Sequence, residues 1–266
     1  MWLIVGLKFF FQRRHIVVID LLTKSQHLDW FGSEFYLKLY RNRNIAEAQH
    51  FIENLLAYLE ASTASKFIDV CCGRGRHARF LAQKGHQVLG IDNSAESIAE
   101  AKKHRTSNLD FAIQDIKKPF PFSDFDVALN LFTSFGYFDK DEDSLISLQN
   151  IGNSLKKEGS LVIDFLNERK VVDGLVPAEN IHIDGCDYNI TRKADHQFIY
   201  KNIKVTKGDS HYNFQEQVRR FKLSDFDSFF QKSRLKRVGL FGNYEMESFD
   251  AATSDRLIIH AKKTDE

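Results

Sequence analysis

Between Lys66 and Phe165 the chain alternates short apolar runs with segments whose apolar residues recur every three or four positions. This constrains the fold more than any other feature, because strands separated by helices pair in parallel and are covered on both faces. Lys66 to Cys71 reads as a buried strand, Gly75 to Lys84 as a helix, Gln87 to Asp92 as a strand, and Ser94 to Lys103 as a helix capped by Ser94. Strands at Leu109 to Gln114, Phe125 to Asn130 and Ser160 to Phe165 follow, with a helix within Asp141 to Leu155. An amphipathic helix, Ile45 to Leu59, precedes the first strand. The expected fold class is α/β, a doubly wound, mostly parallel Rossmann-like sheet.

The pattern changes after Val176, where Asp184-Gly185, Asp195-His196 and Gly208-Asp209 punctuate four runs rich in β-branched and aromatic residues. Such dipeptides favour tight turns, so an antiparallel β-meander is expected. A helix at Ser224 to Ser233, with Ser224 and Asp227 spaced as a capping box, leads to strand runs at Leu235 to Phe241 and Arg256 to Ala261. These last runs return to the main sheet, which makes the meander an insertion. The expected organisation is an extension outside the fold at 1–29, a binding core at 30–176, the inserted meander at 177–222, and a completing helix and strands at 223–266.

Hydrophobic residues make up 43% and charged residues 27%, with 24 Phe and 3 Pro, so there is material for a real core and little for linkers. The 37 Lys and Arg nearly balance the 36 Asp and Glu, which gives no large phosphate-neutralising surface; nucleic acid is not expected as a partner. Cys71, Cys72 and Cys186 form neither a disulfide framework nor a zinc spacing, so no metal is expected and a cytoplasmic location is. Lys8, Arg13, Arg14 and Asp20 break the apolar stretches of Met1 to Leu22 into pieces shorter than the ~20 residues that span a bilayer. The charge order there is not that of a signal peptide.

The run Phe67-Ile68-Asp69-Val70-Cys71-Cys72-Gly73-Arg74-Gly75-Arg76-His77 places a strand, an acid and a two-glycine turn before a helix, a geometry that cradles a ligand at a strand's carboxyl end. Asp92 ends the second strand, where a carboxylate can take hydrogen bonds from both ribose hydroxyls, and Asp115 follows the third, within reach of an adenine amino group. An acid at each of three successive strands is far more specific than any one alone.

These residues resemble the class I S-adenosylmethionine-dependent methyltransferases, whose first motif commonly reads Asp-Leu-Gly-Cys-Gly-x-Gly. The resemblance covers roughly Trp30 to Lys263 and implies S-adenosyl-L-methionine as cofactor. It assigns the glycine turn to the methionine part, Asp92 to the ribose and Asp115 to the adenine. The implied cofactor set is Asp69, Cys71, Gly73, Gly75, Asp92, Asn93, Asp115, Ile116 and Asn130. Cys71 stands where the family usually has its first glycine. The family typically ends in a hairpin whose final strand enters the sheet antiparallel, as the last two runs suggest. A nicotinamide-dependent oxidoreductase is the rival, since Gly73, Gly75 and Ala78 also satisfy Gly-x-Gly-x-x-Ala; a non-catalytic binding protein on the same fold is another.

The fourth strand leads into Phe132, Thr133, Ser134, Phe135, Tyr137 and Phe138, a position that faces the methyl group in the family. The phenylalanines read as core; Tyr137 is a candidate catalytic residue. The Asn/Asp-Pro-Pro-Tyr/Phe motif of many nucleobase and glutamine methyltransferases is absent. Trp30, Phe31, Phe35, Tyr36, Tyr40, Arg41 and Arg43 resemble the flap of small-molecule methyltransferases, with Tyr40 or Arg41 able to reach the cofactor carboxylate; the alternative is that the rings pack on the long helix. His77 is either a base or an ordinary polar residue of a first helical turn. The meander is placed like a lid, with His211 as a second catalytic candidate, over a small polar acceptor methylated on N or O.

Overall fold

The computed structural model describes residues 30–41 and 45–265. The expected extension at 1–29, and Arg43, lie outside the described residues.

A short helix α1 (Glu34–Leu39) begins at Ser33, whose hydroxyl accepts the Tyr36 N–H at 3.1 Å. Helix α2 (Ile45–Leu59) buries Ala48, Phe51, Ile52 and Leu55, the stripe that its three- and four-residue spacing predicts. The alternating region follows as β1 (Lys66–Val70), α3 (Arg76–Gln83), β2 (Gln87–Asp92), α4 (Ala95–Lys102), β3 (Leu109–Ile113), β4 (Phe125–Asn130), α5 (Asp141–Ser154) and β5 (Leu155–Leu166). Ser94 caps α4 as expected, accepting the Ser97 N–H at 3.1 Å. Strand β5 starts five residues early because Lys156, Lys157 and Glu158 are exposed and carry no apolar signal.

A short helix α6 (Glu168–Asp173) leads to β6 (Ala178–Ile183), β7 (Cys186–Ala194), β8 (Phe198–Lys207) and β9 (Ser210–Arg219). These four form a separate antiparallel sheet in the order β6-β7-β8-β9. Asp184 and Gly185 join β6 to β7 with both φ angles positive, 48° and 72°, the backbone that a two-residue hairpin turn requires. Helix α7 (Leu223–Lys232), β10 (Leu235–Phe241) and β11 (Arg256–Lys263) close the chain. The start of α7 differs from expectation: the Lys222 N–H is held by Asp225 at 2.7 Å, while Asp227 pairs with Arg237 at 2.8 Å.

The main sheet has the order β10-β11-β5-β4-β1-β2-β3. Neighbours from β3 to β5 are parallel, and β11 lies antiparallel to both β5 and β10. One face carries Ile68, Val70 and Ile163 against Leu148, Ile151, Phe226 and Phe230 of α5 and α7. The other carries Phe67, Val127 and Val162 against Phe51, Leu55, Ala78, Leu81 and Ile98 of α2, α3 and α4. A third apolar cluster joins Trp30 and Phe35 to Tyr188, Ile190, Ile203 and Val205 of the antiparallel sheet. Chain connections leave β1 and β4 in opposite directions, so a cleft opens between their carboxyl ends, where open α/β sheets bind ligands.

Candidate active site

The turn after β1 puts Cys71, Gly73 and Gly75 at φ 61°, 55° and 78°. Cys71 thus adopts the left-handed backbone that a glycine takes freely, at a cost of about 1–2 kcal/mol for an L residue. The turn is tied down by the Cys72 N–H to Ile91 O and the Gly75 N–H to Cys72 O, both at 2.9 Å. The two glycines differ in surroundings. A Cβ on Gly75 would lie 2.4 Å from the Phe111 ring, whereas a Cβ on Gly73 would meet nothing within 4 Å.

Asp69 is 1% exposed and accepts the Ala78 N–H at 3.1 Å; burial pushes its carboxyl up to about 7. Asp92 accepts the Gly73 N–H on one oxygen (2.9 Å) and the Ser94 N–H on the other (2.8 Å). Burial raises its pKa, against the pull of those N–H donors. Asp115 is half-buried and accepts the Lys117 N–H at 3.0 Å.

These groups open onto one cavity of about 1210 Å³, lined by Asp69, Cys71, Gly73, Asp92, Asn93, Asp115 and Ile116 on one side. Tyr137 lines it too, edge-on to Phe31 with ring centroids 5.4 Å apart. Three expected residues do not line it. Gly75 sits beneath the turn against Phe111. Asn130 is fully buried behind it, donating to Val70 O at 3.1 Å. His211 is exposed near the β8–β9 turn, with Thr206 Oγ1 at 3.1 Å from its Nδ1. The reason is parity: side chains alternate along a strand, Glu216 and Val218 face the cavity, and an odd-numbered residue of β9 faces the other way. His211 is therefore corrected from catalytic candidate to surface residue.

The antiparallel sheet closes the far wall with a charged strip. Its register sets Arg192 opposite Lys201 and Lys201 opposite Glu216, and all three line the cavity. Arg192 pairs with Glu179 at 2.7 Å. Glu216 accepts from Trp30 Nε1 (2.5 Å) and from the Tyr40 hydroxyl (3.1 Å), which itself accepts from Lys201. The flap rings thus pack on this sheet, and Arg41 pairs with Asp184 at 2.8 Å.

A family model described as a methyltransferase domain matches residues 67–159, the stretch holding all three strand-end acids. An S-adenosylmethionine-dependent methyltransferase from Clostridium acetobutylicum ATCC 824 shares the fold, with a TM-score of 0.74 at 21% identity over 86% of this chain and 96% of that one. Residues 67–159 thus match a methyltransferase domain, and the fold of the chain is that of S-adenosylmethionine-dependent methyltransferases. Over 121 residues the chain is 31% identical to the protein named "Putative methyltransferase YqeM" of Bacillus subtilis (strain 168), covering 44% of this chain and about half, 49%, of that relative. Its fold is also that of S-adenosylmethionine-bound CalS10, an amino pentose methyltransferase from Micromonospora echinaspora, with a TM-score of 0.67 at 18% identity over 87% and 98% of the two chains.

The cavity has the dimensions and lining that a nucleoside-containing cofactor needs. It exceeds the roughly 300–1,000 Å³ of a single small-ligand pocket, leaving room for an acceptor beside the cofactor. The space above Gly73 lets a ligand approach the backbone, and the Asp92 oxygens keep lone pairs for further donors. His77 is a poor base: burial lowers its pKa to about 3, and its ring lies against Phe132 with centroids 5.4 Å apart. Among the described residues no group of three or more His, Cys, Asp and Glu is arranged to hold a metal, and no helix is long and apolar enough to cross a membrane.

Asp164, Arg256 and Tyr244 escape sequence reading, as do Lys201 and Glu216 of the charged strip. Asp164, fully buried at the end of β5, accepts from Arg256 Nε at 2.7 Å, from the Phe132 N–H at 2.8 Å and from the Tyr244 hydroxyl at 3.2 Å. Arg256 and Tyr244 both line the cavity. A lone aspartate inside an apolar strand run was the available signal.

Proposed function

We propose that the protein is an S-adenosylmethionine-dependent methyltransferase that transfers the methyl group to a nitrogen or oxygen of a small polar metabolite held between the main-sheet cleft and the antiparallel sheet. The observation that carries this reading is the single cavity, which has the strand-end acids on one wall and the Arg192, Lys201 and Glu216 strip on the other. In this reading Asp92 takes the ribose hydroxyls, Asp115 meets the adenine edge, and the Gly73 turn lies against the methionine part. S-adenosylmethionine brings a methyl group on a sulfonium, so the protein has to orient the acceptor and exclude water. It need not supply a covalent intermediate.

Tyr137, the Tyr40 hydroxyl and the charged strip are the groups able to orient an acceptor. Their number and spacing favour a molecule with several polar groups over an apolar one, and the amino pentose substrate of CalS10 supports the same class. The reading is tested by following S-adenosylhomocysteine release with panels of amino sugars, small amines and hydroxy acids, and with RNA and protein as controls. Turnover confined to small polar molecules supports it; turnover confined to the macromolecules would refute it.

A further inference from the structure

The turn after β4 is a constrained piece of backbone in the cavity wall. Phe132 and Thr133 are consecutive non-glycine residues at φ 60° and 56°, and Thr133 is β-branched. Such conformations persist only where the surroundings over-determine them, and they concentrate at functional sites. Here the surroundings are two residues on other strands. The Phe132 N–H donates to Asp164 Oδ2 at 2.8 Å, and the Thr133 N–H donates to the Asp164 main-chain oxygen at 2.9 Å. Arg256 donates through Nε to Asp164 Oδ1 at 2.7 Å and through Nη2 to the Thr133 hydroxyl at 2.8 Å.

We propose that Asp164 and Arg256 are positioning residues, which clamp the Phe132–Thr133 turn in its left-handed form and so set the wall of the cofactor cleft at the carboxyl end of β4. The inference rests on the proposed placement of the cofactor between the ends of β1 and β4. Arg256 lines the cavity and could be taken for an anion-binding residue of the acceptor site. Its Nε and Nη2 are already committed to Asp164 and Thr133, so its influence passes through the turn. Phe132 carries that influence further: Arg76 lies 3.9 Å over its ring, and Tyr244, which also donates to Asp164, has its ring centroid 5.6 Å away.

The test uses S-adenosylhomocysteine as the probe, with affinity by calorimetry, melting temperature, and hydrogen exchange at the Phe132 and Thr133 amides. Asp164→Asn keeps the shape but replaces one of the two acceptor oxygens with a donor, which then faces either the Arg256 Nε–H or the Phe132 N–H. It should raise the dissociation constant at least tenfold and speed exchange at both amides. Thr133→Gly serves as the reference background for the rescue, because glycine takes the left-handed form unaided. Combining the two should recover most of the affinity while the melting temperature stays at the Asp164→Asn value. That split separates positioning from general support of the fold, which would move both together. If Asp164→Asn does not fold, Arg256→Lys keeps the charge and loses the forked reach, and should weaken binding threefold or more in a way that Thr133→Gly restores. Unchanged affinity in either folded variant, or affinity that Thr133→Gly cannot restore, would overturn the clamp. Failure of the unmodified protein to bind the probe would instead sink the placement of the cofactor.

Discussion

A methyl group added at Gly73 or at Gly75 meets opposite surroundings, although the two lie in one turn. Gly75→Ala should lower stability by about 2 kcal/mol or more, since it adds left-handed strain to a collision with the Phe111 ring. Gly73→Ala adds only the strain, but its methyl group enters the space a ligand would use. Denaturant unfolding should therefore single out Gly75→Ala, and calorimetry with S-adenosylmethionine should single out Gly73→Ala. Asp69 carries a pH signature. Its carboxyl titrates near 7 in the fold, against about 3.9 when unfolded, so between those values the native state holds a proton that the unfolded chain has lost. Its contribution to stability thus falls as pH rises from about 4 to 7, and levels off above. His77 and His260, lowered to about 3 and about 4 by burial, act with the opposite sign in much the same window. The informative quantity is the difference between the unmodified protein and Asp69→Asn. Melting temperatures should show the variant gaining on the parent up to pH 7; a constant difference would contradict the buried carboxyl.

At the scale of elements, the antiparallel sheet depends on a segment far away in sequence. Its inner face runs in register from the apolar ladder Ile190, Ile203, Phe214 to the charged Arg192, Lys201, Glu216 and then to Ala194, Ile199, Val218. Trp30, fully buried, covers the apolar end and hydrogen-bonds the charged step through Glu216. Residues 30–41 and the inserted sheet therefore share a small core of their own. Trp30→Ala should cost about 3–5 kcal/mol of local stability by opening that core. Hydrogen exchange should quicken in β7 and β8 while the amides of β1 and β4 keep their protection. Equal acceleration in both sheets would show that the two are one cooperative unit. The meander was legible from its turn dipeptides, because Asp-Gly and Gly-Asp mark hairpins by their backbone freedom. Which of its faces turns inward was not legible, and this is why His211 was misread while Glu216 and Lys201 went unassigned.

For the whole molecule, the parallel half was open to reading because strands covered on both faces appear as unbroken apolar runs between glycine and serine boundaries. Asp69, Asp92 and Asp115 stand out because the topology repeats, each acid lying within two residues of the carboxyl end of a strand. Asp164 and Arg256 do not, since 92 residues separate them and only the antiparallel pairing of β11 with β5 brings them together. The flap followed the same logic: its rings were conspicuous, but the sheet they cover lies some 150 residues on. Sequence alone thus discloses contacts that a local repeat enforces and hides those that closing the sheet creates. In the proposed function, cofactor binding in this cleft depends on Asp92, the acid ending β2. Calorimetric titration of the unmodified protein and of Asp92→Ala with S-adenosylmethionine, with NAD as a control, tests it most directly. Hydrogen bonds to a charged acceptor are worth about 1.5–3 kcal/mol, so the dissociation constant should rise roughly ten- to a hundredfold in the variant, with folding intact and no binding of NAD. An unchanged dissociation constant in a folded Asp92→Ala protein would contradict it.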